Sequence, residues 1–165
     1  MKKHYLHLPY MPGKLVNLQS GDKLYITGTI YTARDQAHRR LIELIETGQE
    51  LPFDLAETAI FYCGPSPKPE TKVCGAIGPT TSSRMDALTL PLLEAGLKLM
   101  IGKGERSAAV KAALQQHGAL YLSAIGGVSA VLARTIVSCE TFLWAELGAE
   151  AIYKLEVKNF PCYYH

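Results

Sequence analysis

The feature that most constrains this chain is a change of period that recurs along it. A short run rich in β-branched and aromatic residues ends at a turn of small residues, and helical spacing follows. Residues 23–31, KLYITGTIY, place Leu24, Ile26 and Ile30 on one side of an extended segment, while Gly21 and Gly28 permit turns or close approach. Thr32-Ala33-Arg34-Asp35 reads as a capping-box-like helix start, Ala37, Leu41, Ile42, Leu44 and Ile45 recur at helical spacing, and Gly48 stands just past the end. The same order returns three times. Ile60-Phe61-Tyr62 and residues 73–77 precede a helix opened by Thr80-Thr81-Ser82-Ser83, residues 97–101 precede a helix through Val110 and Leu114, and residues 120–125 precede a helix over 128–137. Such alternation predicts an α/β fold, a sheet flanked by helices. The hairpin-like spacing at 60–77 makes the expected sheet mixed.

Other signals are local. The prolines of Gly64-Pro65-Ser66-Pro67-Lys68-Pro69 fix φ and remove donors, which predicts a stiff loop. Pro91 is expected to kink or split its helix, Gly126-Gly127 to form a tight turn, and residues 151–157 to add a strand. No linker, repeat or low-complexity tract interrupts the order, so residues 1–165 read as a single domain. With 48% hydrophobic residues, a chain of this length can bury a core unaided.

Net charge is only +2 and the basic residues are dispersed, so neither nucleic acid nor a membrane surface is an expected partner. No apolar run has the length of a signal peptide or a membrane span, and a cytoplasmic location is expected. Cys63, Cys74, Cys139 and Cys162 show neither CxxC nor Cys/His spacing, which predicts four thiols, mostly buried, and no metal bound by this chain.

Anion recognition must therefore be local, and three junctions invite it. Thr32-Ala33-Arg34-Asp35, Gly78-Pro79-Thr80-Thr81-Ser82-Ser83-Arg84 and Gly102-Lys103-Gly104-Glu105-Arg106 each place a cation where a strand hands over to a helix. A cation in a first helical turn opposes the helix dipole by up to about 1 kcal/mol, so a negative group should offset it. In an α/β sheet such junctions collect on one edge, where helix N-termini face a ligand crevice. Arginine grips a carboxylate with two parallel donors and lysine adds a compact charge, which makes Arg34, Arg84 and Lys103 candidates for binding a small dicarboxylate. Taken singly, a cation near a helix start is most often a solvated residue, with Asp35 and Asp86 as pairing neighbours here. The hydroxyls of Thr80 to Ser83 suit caps as well as ligands. His38 is placed to pair with Asp35, to reach the pocket, or to play a structural part; His117 marks a helix end.

These residues resemble the C-terminal domain of class I fumarate hydratase, a domain that stands alone as a β subunit in many bacteria and archaea and is shared with L(+)-tartrate dehydratase. The resemblance runs from about residue 21 to 160 and is carried by Gly28-Thr29-Ile30, Thr32 to His38, Leu51-Pro52-Phe53-Asp54-Leu55, Tyr62-Cys63-Gly64-Pro65, Gly78 to Asp86, Met100 to Gly104, Gly126-Gly127 and Glu146 to Ile152. It implies a swivelling β/β/α domain, and a hydro-lyase whose four-iron four-sulfur cluster is held by cysteines of a partner α subunit, this chain binding none. It further implies that Arg34 and Arg84 grip substrate carboxylates, that Lys103 joins them, and that Thr80 and Thr81 lie at the substrate, with Thr80 and Lys103 the candidates for catalysis. The expected assembly is α2β2, active only when complete. Fumarate hydration to L-malate is the first reading, L(+)-tartrate dehydration the second, and a non-catalytic dicarboxylate-binding module the alternative from another class.

Overall fold

Strand β1 (Lys3–His7) runs parallel to β2 (Lys23–Thr32), which leads directly into helix α1 (Asp35–Glu46). There follow β3 (Ala59–Phe61), a 3-10 turn (Ser82–Met85) that continues into α2 (Asp86–Glu94), β4 (Leu99–Gly102) and α3 (Ala108–His117). The chain ends with β5 (Leu120–Ala124), α4 (Ser129–Arg134), β6 (Ile136–Leu143), a 3-10 segment (Ala145–Glu150) and β7 (Ile152–Tyr163). This computed structural model describes residues 2–11, 13, 17–65, 81–124 and 129–164. Residues 66–69 and 73–77, Thr80 and Gly126-Gly127 lie outside them.

The fold is the mixed α/β arrangement expected, and its sheet closes on itself. Strands β2, β3, β4 and β5 are parallel neighbours in that order, and β7 runs antiparallel against both β5 and β2. Tyr163 stands opposite Lys23 of β2 and, on its other flank, opposite Ser123 of β5. Because side chains alternate along a strand, one set packs inside the ring: Leu24, Ile26, Ile30, Phe61, Ile101, Leu122 and Phe160. The other set, including Ile60, Tyr62 and Met100, packs with Ala37 and Leu41 of α1 and with Leu92 and Leu93 of α2. Burial on both sides explains why these strands are almost continuously apolar.

Several local expectations are corrected. Among the described residues the antiparallel pairings come from β7, which runs on past residue 157 to Tyr163, and β6 joins it antiparallel. Ile136 and Val137 open β6 instead of ending a helix, since α4 stops at Arg134. Helix α2 continues through Pro91, where only one internal hydrogen bond is forgone. Thr32 takes no part in a cap: it belongs to β2, and its Oγ1 accepts from the Tyr153 amide at 3.1 Å. The N-cap of α1 is Arg34, with no side-chain cap bond.

Candidate functional site

The register of the parallel strands decides which junctions share an edge. Thr32 pairs with Phe61, and Phe61 with Ile101. Arg34 and Lys103 each stand two residues beyond these matched positions, on strands separated by β3 alone, hence on the order of 10 Å apart along the sheet. The ladder continues into the turns through Ala33 N–H to the Phe61 carbonyl (3.0 Å), Tyr62 N–H to Ile101 (2.8 Å) and Ser82 N–H to Lys103 (2.8 Å).

Arg34 lies against Gly64, where a Cβ would approach Arg34 Cδ to 2.8 Å and the Ala149 carbonyl to 2.6 Å. Glycine is therefore required for the arginine stem to pass between β3 and the 3-10 segment before β7. Arg34 Nε is buried and has no partner among the described residues, and the same holds for Asp35 Oδ1. The other Asp35 oxygen is 3.6 Å from an Arg84 terminal nitrogen, a loose and partly exposed pair that brings the first and second junctions together. The negative group expected at the start of α1 comes from the chain itself: Glu150 Oε1 accepts from the Gln36 amide at 3.1 Å.

The third junction joins the second through backbone. Thr81 pairs in parallel with Lys103, and both side chains are exposed. Lys103, however, is not in a first helical turn. Helix α3 begins at Ala108 and is capped by Ser107 Oγ, which accepts from the Val110 amide at 3.2 Å. Lys103 occupies the loop between β4 and that cap, so the dipole argument does not apply to it; Arg84 sits in the 3-10 turn ahead of α2. The edge thus collects Arg34, Arg84, Lys103 and Thr81 of the expected site residues, while Thr80 lies outside the described residues.

Arg106 is a structural cation that chain order did not reveal. Its Nε donates to Asp86 Oδ1 (2.8 Å), and its terminal nitrogens donate to the Tyr62 hydroxyl (3.0 Å) and to Thr89 Oγ1 (2.6 Å). The guanidinium also lies 5.0 Å and 4.9 Å from the ring centres of Tyr62 and Tyr121. Only its place just before the Ser107 cap hinted at a role, because its counter-ion is distant in sequence.

His38 is fully buried, and its Nδ1 is 2.8 Å from the Arg34 carbonyl. A carbonyl only accepts, so Nδ1 carries the proton and Nε2, which is buried and has no partner among the described residues, presents its lone pair. Burial holds its pKa down at about 4, the Arg106 charge adding to this and the Arg34 carbonyl opposing it. His38 is therefore neutral at pH 7 and ties its ring to the backbone of Arg34.

A groove of about 1070 Å³ opens beside this edge, lined by Gly104, Arg106, Lys111, Tyr121 and Tyr164 among others; Arg34, Arg84 and Lys103 do not line it. Among the described residues no three His, Cys, Asp or Glu side chains gather to hold a metal. Cys63 and Cys162 are buried in the core and Cys139 is half-buried. None of the described helices is long and apolar enough to cross a membrane.

Fold and edge together define a mixed α/β domain whose sheet closes on itself, with cations beyond the C-terminal ends of its parallel strands. The chain belongs to the fumarase C-terminus family, whose model matches residues 3–164. It is similar to a fumarate hydratase class I, anaerobic, of Escherichia coli K12, with 44% identity over 86% of this chain and 26% of that protein. A putative L(+)-tartrate dehydratase subunit beta of Methanocaldococcus jannaschii is 38% identical over 87% of this chain and 76% of that protein. The L(+)-tartrate dehydratase subunit beta of Escherichia coli K12 is 35% identical over 96% and 79%. The chain thus spans about a quarter of the length of the class I fumarate hydratase it matches.

Proposed function

We propose that this chain is the β subunit of a cytoplasmic iron–sulfur-dependent hydro-lyase, catalysing the reversible hydration of fumarate to L-malate. The observation that carries the reading is the placement of Arg34 and Lys103 just beyond the ends of β2 and β4, with Arg84 linked to the first through Asp35 and Thr81 paired with Lys103. Three cations on one edge suit two carboxylates. The four-iron four-sulfur cluster belongs to an α subunit, in an α2β2 assembly, and supplies Lewis-acid chemistry at the substrate hydroxyl.

The work of this chain is electrostatic. Loss of the proton beside a carboxylate moves negative charge onto the carboxylate oxygens, and fixed cations stabilise that charge without reorganising. Arg34 and Arg84 grip the carboxylates, and Lys103 follows the oxygen on which charge grows. Thr81 lines the substrate, and Thr80 is assigned the proton handling, for which a hydroxyl needs an activating group, Lys103 or one from the partner subunit.

A second reading, L(+)-tartrate dehydratase, draws support from the two relatives named as β subunits, which align over most of their own length. Co-expression with the α subunit under anoxic conditions, followed by assays on L-malate and L-tartrate, separates the two. Arg34→Ala, Arg84→Ala and Lys103→Ala are each expected to lower turnover roughly 100-fold, the scale of losing one electrostatic stabiliser. Near-normal kinetics in all three removes the site. Dicarboxylate binding with no turnover in any assembly leaves a non-catalytic binding module.

A further inference from the structure

Ser82 joins two loops that belong to different strands. Its amide donates to the Lys103 carbonyl at 2.8 Å, and its Oγ accepts from the Lys103 amide at 2.9 Å. The same Oγ is 2.6 Å from the Tyr121 hydroxyl, which in turn donates to the Gly104 carbonyl at 2.7 Å. Because that carbonyl only accepts, the single Tyr121 proton is committed to it, and the Ser82 proton must point at the Tyr121 oxygen. The direction of the chain is fixed: Lys103 N–H to Ser82 Oγ–H, Ser82 to Tyr121, Tyr121 to the Gly104 carbonyl. Each proton has one acceptor, and the relay begins and ends on the same turn.

Two neighbours hold the relay in place. A Cβ on Gly102 would collide with Ser82 Oγ and the Tyr62 ring, so only glycine lets the serine approach β4. The Arg106 guanidinium lies over the Tyr121 ring at 4.9 Å and is itself fixed by Asp86. Ser82 is fully buried, whereas the Thr81 and Lys103 side chains on either side are exposed.

We infer that Ser82 and Tyr121 are positioning residues: their hydroxyl relay fixes the Lys103-Gly104 turn and so holds the Lys103 ammonium toward the substrate. The inference rests on the reading that Lys103 binds a substrate carboxylate. It assigns Tyr121, which touches no substrate, a share in substrate affinity that acts through Lys103 alone.

Tyr121→Phe is the sharpest test, since the ring stays over Arg106 and only the hydroxyl leaves. In the full chain, amide hydrogen exchange at Lys103 is expected to accelerate about tenfold as its protection becomes local opening, while Met100 and Ile101 stay unchanged. Unaltered exchange at Lys103 overturns the inference. In the enzyme reconstituted with its α subunit, Tyr121→Phe is expected to raise KM for L-malate about fivefold to tenfold, the scale of one hydrogen bond, with the melting temperature maintained. Ser82→Ala should reproduce the effect. In a Lys103→Ala background the tyrosine change should add nothing; additive losses mean a merely structural residue and overturn the inference. Normal kinetics for Lys103→Ala itself defeats the carboxylate reading and with it the purpose assigned to the relay, whereas the exchange experiment decides the relay independently.

Discussion

Where a buried proton can go sets what a residue does, and His38 shows the consequence for pH. Its folded-state pKa lies at about 4, against an ordinary 6.5. Between those values the unfolded chain holds a proton that the folded chain lacks, so stability falls as pH drops through this window. Asp22 extends the loss to lower pH. The amides of Gln19 and Lys2, with His4, hold its carboxyl down at about 2. Its contribution is present above the unfolded value of about 3.9 and disappears as pH falls toward the folded one. His38→Asn keeps a donor for the Arg34 carbonyl without titrating; in melts across the upper window it should flatten the decline, and an undiminished slope would refute the assignment. Gly102→Ala makes a steric prediction at the same scale. Its Cβ meets Ser82 Oγ and the Tyr62 ring, and denaturant titration should show a loss of about 1–3 kcal/mol.

Between elements, the decisive contact is the Asp86 carboxylate. In the first turn of α2, it accepts from Arg106 Nε and, at 3.0 Å, from the amide of Ser107, the cap of α3. The Arg106 side chain is only 1% exposed, so Asp86→Ala strands a buried charge and should destabilise the chain by about 3–5 kcal/mol. Replacing both partners, as Asp86→Ala with Arg106→Met, should recover part of that loss; a double variant no better than the single one refutes the account. The junction from β2 to α1 was readable because the apolar period changes abruptly between Ile30 and Ala37. Strand β6 was not, since its residues 137, 138, 140 and 141 are exposed and Ile136-Val137 continues an apolar helical pattern. The Lys103 loop was misread for a related reason: Gly102-Lys103-Gly104 has the composition of a helix entry, but the cap is Ser107. The cations of the edge could be named in advance because arginine and lysine announce themselves. Their fastening through Ser82, Tyr121, Arg106 and Asp86 could not, because chain order does not encode which side chains meet across strands.

At the scale of the whole molecule, the last strand completes the ring. Phe160 and Cys162 lie in the interior, while Cys162 and Tyr163 pair with both β2 and β5. Deleting residues 160–164 removes two core side chains and leaves two strand edges bare. The expected loss exceeds about 5 kcal/mol, comparable with the whole stability of a domain. Calorimetry should find no cooperative transition, and a sharp one in the truncated chain refutes the closure. Closure also explains how junctions far apart in sequence share one rim, since parallel strands in register end at the same level.

The pairing of Lys23 with Tyr163 has a further consequence for biosynthesis. The edge of β2 emerges from the ribosome early, and its antiparallel neighbour only after nearly all of the intervening chain has been translated. Until then an unsatisfied edge stays open and can pair with a second nascent chain. Such long-range closure slows folding relative to local contacts, so the yield of native protein should respond to holdase chaperones that shelter the edge until β7 arrives.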